Sequence, residues 1–369
     1  PVVRGEELSF TEGGLVHALS ASVDLTHDYD ITIICPNLPG SHGKRVISYK
    51  GVEIVCLGNS RWVKWSRFGD LSFFRETYKY IRKEKPDILI ANNYLMSLLV
   101  TFIPQKATKV GIIHHLYHTQ SVNGSSRRAV PSIGILEKLA THLIKLSKIG
   151  VVNPGVKNVL IKEGYPEDKI VIVGNGVNVD DYLFSEGKVP HSLIYIGRIA
   201  ELKEVSSLVE VVSIIRKEIP DTTLHIIGDG PKYNEVKERT EELKVSSNIV
   251  MHGCLTEKEK INLLMDSTIY VSNSQMEGFG IPLVEAMATG AVPVVSDIYA
   301  HRFVFQDEDV GYLVHSKEEM AARIIDLLTN EPKRLQLARN GRELVERKWT
   351  WTGVSEKYRE LLQTPINAN

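Results

Sequence analysis

The sequence predicts an α/β protein of two doubly wound domains, each a parallel sheet covered by helices on both faces. Three observations carry that expectation. Short apolar, β-branched runs alternate with helical patterns along the chain, the rhythm of strands joined by helical crossovers. The 369 residues are long for one domain and comfortable for two, each with its own core. The strand-like runs also fall into two series with a polar stretch between them.

Taken in order, the chain opens with "PVVRGEELSFTEGGLVHALSASV", read as a loop and a helix with no strand-like run before them. An α/β domain normally begins on a buried strand, so the chain as given is expected to start after its first strand. Strands are then expected at 30–35, 52–57, 87–92, 109–114, 149–153 and 169–174. The polar "NVDDYLFSEGKVPH" reads as a linker near 180–191, and a second series follows at 192–197, 222–228, 248–253, 268–272 and 292–296. The expected division is a first domain over 1–186, a second over 187–346 and a terminal segment over 347–369.

Ligands of such sheets bind beyond the carboxyl ends of the strands. In the second domain those loops carry "GRIAELK", with Gly197, Arg198 and Lys203, then "GDGP" from Gly228, then "EGFG". The run "MEGFGIPLVEAMATGAVPVVSD" at 276–297 reads as a turn, a helix and a strand. Pro282 suits the first helical position and Gly290 a left-handed cap. Glu277 then lies in the turn and Glu285 about one turn inside the helix. Gly278 and Gly280 let a ligand approach the main chain, and the N–H groups of Gly280, Ile281 and Leu283 at the helix start can face an anion. An ordinary α/β turn with a solvated glutamate is the competing reading of these residues.

Composition narrows the class. A formal net charge of -1 argues against a general nucleic-acid binder. Cys35, Cys56 and Cys254 lack CxxC spacing and suit a reducing compartment without a zinc site or disulfide framework. No apolar run approaches the ~20 residues that span a bilayer, so a cytoplasmic protein, in contact with the inner face of a membrane at most, is expected.

The pieces "EGGL" at 12–15, "IIHH" at 112–115, "GNGVNVDDY" at 174–182, "IGRIAELK" at 196–203, "IIGDGP" at 226–231 and "EGFGIPLVEAMATGAVPVV" at 277–295 occur in order. In that order and spacing the chain resembles the retaining nucleotide-sugar glycosyltransferases of family 4. The resemblance implies the GT-B fold, two facing Rossmann-like domains with the donor cleft between them. It gives Glu277 the donor-sugar hydroxyls and Glu285 the ribose diol, a charge-assisted contact for a carboxylate. Arg198 and Lys203 resemble the basic pair that holds the diphosphate and stabilises charge growing on the leaving group. The donor-side set is Gly13, Gly14, Gly197, Arg198, Lys203, Gly228, Gly278, Phe279, Gly280, Ile281, Leu283 and Glu285. Glu204 departs from the pattern, which has glycine after the lysine, and is expected to point to solvent.

His114 corresponds to a histidine that contacts the donor sugar, with a strand-end histidine bonded to a backbone carbonyl as the alternative. His115 and His118 beside it invite a metal reading, but no carboxylate or cysteine lies nearby. "DYD" at 28–30 and "DED" at 307–309 have the letters of a metal-binding Asp-x-Asp, yet the first leads into an N-terminal strand and the second lies in a polar turn distant from the phosphate loops in sequence. No essential metal and no cofactor are expected.

The acceptor side belongs to the first domain. Residues 60–85 hold two of the four tryptophans and carry eight cations against three carboxylates. Two readings stand: an anionic membrane surface or lipid-phosphate groove, or a helix whose aromatics face the core while its cations are solvated. Arg127 and Arg128 belong either to an acceptor loop or to a plain solvated one. The segment from Arg347 resembles one that crosses back onto the first domain, with Trp349 and Trp351 as core or hinge anchors. The implied reaction is hexosyl transfer from a nucleotide sugar, UDP-linked by default, to a glycan or lipid-linked acceptor. A sugar-nucleotide epimerase and a noncatalytic nucleotide-sugar-binding subunit are the rivals.

Overall fold

In the computed structural model, residues 2–4, 7–9, 13–36, 44–58, 71–114 and 143–363 are described. The chain divides into two units, Pro1–Gly174 with Trp351–Asn369, and Asn175–Thr350.

In the first unit a short hairpin, β1 (Val2–Arg4) and β2 (Glu7–Ser9), precedes helix α1 (Gly13–Leu25). The sequence reading expected no strand there. The hairpin pairs only with itself among the described residues. Next come β3 (Thr32–Pro36), β4 (Arg45–Tyr49) and β5 (Val52–Leu57) in the order β3-β5-β4. β4 runs antiparallel to β5, a departure from the all-parallel expectation. Its cause is the two-residue turn Lys50–Gly51, with φ of +47° and +83°, the primed geometry that joins adjacent antiparallel strands. Helix α2 (Leu71–Glu84) leads to β6 (Ile88–Ala91), α3 (Tyr94–Thr101), β7 (Thr108–Ile113), β8 (Lys148–Val151), α4 (Pro154–Lys162) and β9 (Ile170–Ile172). Strands β6 to β9 pair in sequence order, all parallel. Asn153 caps α4 by accepting the Val156 N–H at 2.9 Å, with Pro154 in the first turn.

In the second unit the strands are β10 (Ser192–Ile196), β11 (Thr223–Ile227), β12 (Ile249–Gly253), β13 (Ile269–Ser272), β14 (Val292–Ser296) and β15 (Tyr312–Val314). The connecting helices are α5 (Val205–Ile215), α6 (Tyr233–Glu242), α7 (Glu257–Asp266), α8 (Ile281–Thr289) and α9 (Tyr299–Phe305). Then follow α10 (Lys317–Thr329), α11 (Glu331–Lys348) and, back in the first unit, α12 (Trp351–Leu362). All six strands are parallel, in the order β12-β11-β10-β13-β14-β15. Leu193, Tyr195, Val271 and Val294 of the sheet pack with Val209 and Val212 of α5 and Ile324 of α10. Burial on both faces explains why these strands read as continuous apolar runs.

The expected boundary at 186 moves to 174, because the supposed linker is built into the second unit. Tyr182 is buried, and Lys188 Nζ donates to the carbonyls of Met265 (2.9 Å) and Thr289 (2.6 Å). Those carbonyls end α7 and α8, where the helix leaves acceptors unpaired. The return begins at Trp351 rather than Arg347, since α11 runs through Lys348 inside the second unit. Val354, Tyr358 and Leu361 of α12 then pack against Ala21 and Leu25 of α1 and Val110 and Ile112 of β7. Among the described residues no helix is long and apolar enough to cross a membrane.

Candidate functional site

The strand order of the second unit reverses between β10 and β13. Loops leaving two such strands diverge to opposite faces of the sheet and open a crevice at their carboxyl ends. Arg198 and Lys203 follow β10, and Glu277 to Gly280 follow β13. The neighbouring β11 loop is pressed against them. A Cβ on Gly228 would collide with the Gly197 carbonyl oxygen, so only glycine permits that approach.

Lys203 Nζ lies 2.6 Å from Glu277 Oε1 and 3.2 Å from the Met276 carbonyl oxygen. Ser274 donates its hydroxyl to the same Glu277 oxygen at 2.8 Å. Arg198 is exposed, and its guanidinium makes no ion pair among the described residues. The Tyr195 hydroxyl donates to the Arg198 carbonyl at 3.2 Å and so anchors the loop. Burial first, and then the charge of Glu277, push the Tyr195 and Tyr270 hydroxyls well above their usual value, so both remain protonated donors. Glu204 does not simply face solvent. It sits in the left-handed region at φ +49°, and its carboxylate accepts from the Gln275 amide at 2.6 Å. Burial, and then Glu201, raise its pKa. Buried His301 lies under the glycine turn, its Nδ1 donating to the Ser296 carbonyl at 2.7 Å. Burial, ahead of any charge, lowers its pKa.

Helix α8 starts from Gly280 in the left-handed region and ends on Gly290 in the same region, at φ +93° and +86°. Pro282 occupies the second helical position, one later than the sequence reading placed it. Glu285 is almost fully buried. Its Oε1 meets the Tyr182 hydroxyl and Lys260 Nζ, each at 2.9 Å. Lys260 also pairs with Glu257 at 2.7 Å.

Two members of the expected set change meaning. The Leu283 N–H donates within the helix to the Gly280 carbonyl at 3.0 Å, and so is not available to an anion. Among the described residues no backbone acceptor takes the N–H groups of Gly280 and Ile281. The Phe279 side chain is buried, edge-on to Phe303 and Trp349 at 6.2 and 5.2 Å; only its main chain can face a ligand. Trp349 is the anchor of that cluster and donates its Nε1–H to the Val304 carbonyl at 3.0 Å.

His114, Gly13 and Gly14 lie in the first unit. Gly13 and Gly14 open α1. His114 Nε2 is 3.1 Å from Asn92 Oδ1, and its ring stands edge-on to His17 at 4.9 Å. His17 Nε2 lies 2.6 Å from the Tyr358 hydroxyl, which ties α1 to the returning α12. His115, His118, Arg127, Arg128 and residues 60–70 fall outside the described residues. Within α2, Phe73 faces the core while Arg75, Lys79, Arg82 and Lys83 are exposed. Of the Asp-x-Asp look-alikes, Asp28 pairs with Arg359 and Glu308 with Arg347, both at 2.6 Å. Among the described residues no group of three or more His, Cys, Asp or Glu is placed to hold a metal ion.

Lys260, Tyr182, Ser274 and His301 were not singled out from the sequence. A signal existed for Lys260: it stands four residues before the fully buried Leu264 on one helix, a charge on an inward stripe.

The pattern described as "Glycosyltransferase Family 4" matches residues 13–181, and that described as "Glycosyl transferases group 1" matches residues 184–344. The chain belongs to the family-4-type glycosyltransferases. A glycosyltransferase relative, the poly(ribitol-phosphate) alpha-N-acetylglucosaminyltransferase of Staphylococcus aureus, is 25% identical over 70% of this chain and 52% of its own length. The phosphatidyl-myo-inositol mannosyltransferase of Mycobacterium leprae is 30% identical over 53% of each chain. The chain thus spans about half the length of these curated relatives. Its fold is that of the GT-B glycosyltransferases: the Anabaena HepE structure, determined with UDP and glucose, superposes with a TM-score of 0.76 over 97% of both chains at 13% identity.

Proposed function

We propose that the protein transfers a hexosyl group from a nucleoside-diphosphate sugar, UDP-linked by preference, to a glycan or lipid-phosphate-linked hydroxyl, retaining anomeric configuration and needing no metal. One observation carries the reading: Lys203 pairs with Glu277 at the switch point of the second unit, on the loops that also carry the exposed Arg198 and the Gly280 and Ile281 N–H groups that no backbone acceptor takes among the described residues. Cations and oriented N–H groups set in place before reaction stabilise the growing diphosphate charge more than the ground state. Lys203 is shared, since its ammonium already contacts Glu277; a bound diphosphate competes for it, and Glu277 turns to sugar hydroxyls. The acceptor hydroxyl attacks from the leaving-group face and passes its proton to a phosphate oxygen.

UDP is favoured because HepE was determined with UDP and glucose. The names of two relatives include poly(ribitol-phosphate) and phosphatidyl-myo-inositol, and the exposed cations of α2 suit an anionic acceptor or membrane surface. The test supplies UDP-glucose, UDP-N-acetylglucosamine or GDP-mannose with a poly(polyol-phosphate) or phosphoinositide acceptor, with and without EDTA. Nucleotide release with EDTA present and an α-linked product by NMR is the expected outcome. A β-linked product, or release abolished by EDTA, contradicts the proposal.

A further inference from the structure

The two oxygens of Glu285 are treated unequally. Oε1 receives Tyr182 and Lys260, whereas Oε2 is buried with no hydrogen-bond partner among the described residues. A buried carboxylate oxygen without a partner is uncommon and calls for a donor from elsewhere. The Glu285 side chain is only 7% exposed and that of Lys260 15%, so bulk water does not readily supply that donor.

The company on the other side is fully engaged. Lys260 Nζ reaches Glu285 at 2.9 Å, Glu257 at 2.7 Å and the Tyr182 oxygen at 3.5 Å, three acceptors for three protons. The Tyr182 hydroxyl also lies 3.0 Å from Glu257 Oε1. These residues come from three places: the turn before β10, helix α7 and helix α8. Two carboxylates against one ammonium leave the cluster negative, suited to hydroxyl donors and not to a phosphate. Burial works against the Lys260 ammonium, but Glu285 and Glu257 outweigh it and hold its pKa above the usual value.

We propose that Lys260 and Tyr182 are positioning residues: by engaging Oε1 they fix the Glu285 carboxylate, leaving Oε2 as one preset acceptor for a ribose hydroxyl, and so make the site select ribose over deoxyribose. The nucleotide-sugar donor proposed above is presupposed. An acceptor held in place discriminates because a ligand lacking the hydroxyl leaves it buried and unpaired, whereas a mobile one turns elsewhere.

The experiment titrates the protein with UDP, GDP and ADP, each beside its 2′,3′-dideoxy analogue, and compares wild type with Lys260→Met, Lys260→Arg and Tyr182→Phe. Wild type should prefer its ribonucleotide by about tenfold or more. That ratio should collapse several-fold in Lys260→Met, fall less in Tyr182→Phe and recover in Lys260→Arg. A merely structural role would weaken both ligands alike and leave the ratio intact, and an intact ratio in the variants overturns the inference. Should Lys260→Met not fold, Tyr182→Phe decides, since it deletes one hydroxyl and keeps the ion pairs. Wild-type protein that binds no nucleoside diphosphate contradicts the donor reading itself, a result distinct from binding without ribose selectivity.

Discussion

Glu277 and Glu285 stand eight positions apart, yet their surroundings give them different work. Glu277 is partly exposed and faces Lys203 and Ser274; Glu285 is buried and faces Lys260 and Tyr182. Glu285→Ala leaves Lys260 its contact with Glu257, so the protein should fold. Loss of a charge-assisted acceptor is worth about 1.5–3 kcal/mol, so UDP affinity should fall roughly 10- to 150-fold by calorimetry. Glu277→Ala removes the carboxylate that competes for Lys203, so free UDP should bind as well or better while sugar transfer drops. Equal loss of UDP affinity in both variants would contradict the assignment. The loops holding Glu277, Arg198 and Lys203 stood out in the sequence because they follow strand-like runs, and Glu285 because Pro282 and Gly290 frame its helix. Lys260 was not, since it meets Glu285 only when α7 packs beside α8. The burial of Phe279 was equally hidden, because its partners Phe303 and Trp349 lie 24 and 70 residues further on.

Among the elements, β11 and β12 carry a coupled feature unrelated to the site. His225 Nδ1 lies 2.9 Å from His252 Nε2, with the rings stacked 5.2 Å apart. Burial, and then His252, lower the His225 pKa from its usual 6.5; burial lowers that of His252. Both are therefore neutral in the fold. Their stabilising contribution is complete above the unfolded value of about 6.5 and is lost as pH falls through the lowered folded values. The thermal midpoint should be flat from about pH 7 to 8 and decline below about 6. A double His225→Asn, His252→Asn variant should flatten that decline only partly, because buried His301 titrates in the same direction. An unchanged pH slope in the variant would contradict this account. The buried parallel strands were legible as apolar runs, whereas β15, of three residues, is too short for a periodic signal. Strand β4 was missed because its half-exposed residues look like a loop until the Lys50–Gly51 turn pairs them with β5.

At the scale of the molecule, two α/β units were legible from the repeated strand–helix rhythm, whereas the returning segment was expected only from the family resemblance. The division points were not. Residues 175–191 are polar, as a linker would be, but Tyr182 and Lys188 bury their polar tips on α7 and α8, contacts that only the folded second unit reveals. The central claim is that the switch point of the second unit holds a nucleotide diphosphate through Arg198 and Lys203. The most direct measurement is a calorimetric titration of UDP into wild type and an Arg198→Ala, Lys203→Ala double variant of matched thermal stability, with EDTA present throughout. The account predicts saturable binding by wild type and a loss of about 100-fold or more in the variant, two charge-assisted contacts at 1.5–3 kcal/mol each. Equal affinity in the two proteins would contradict it.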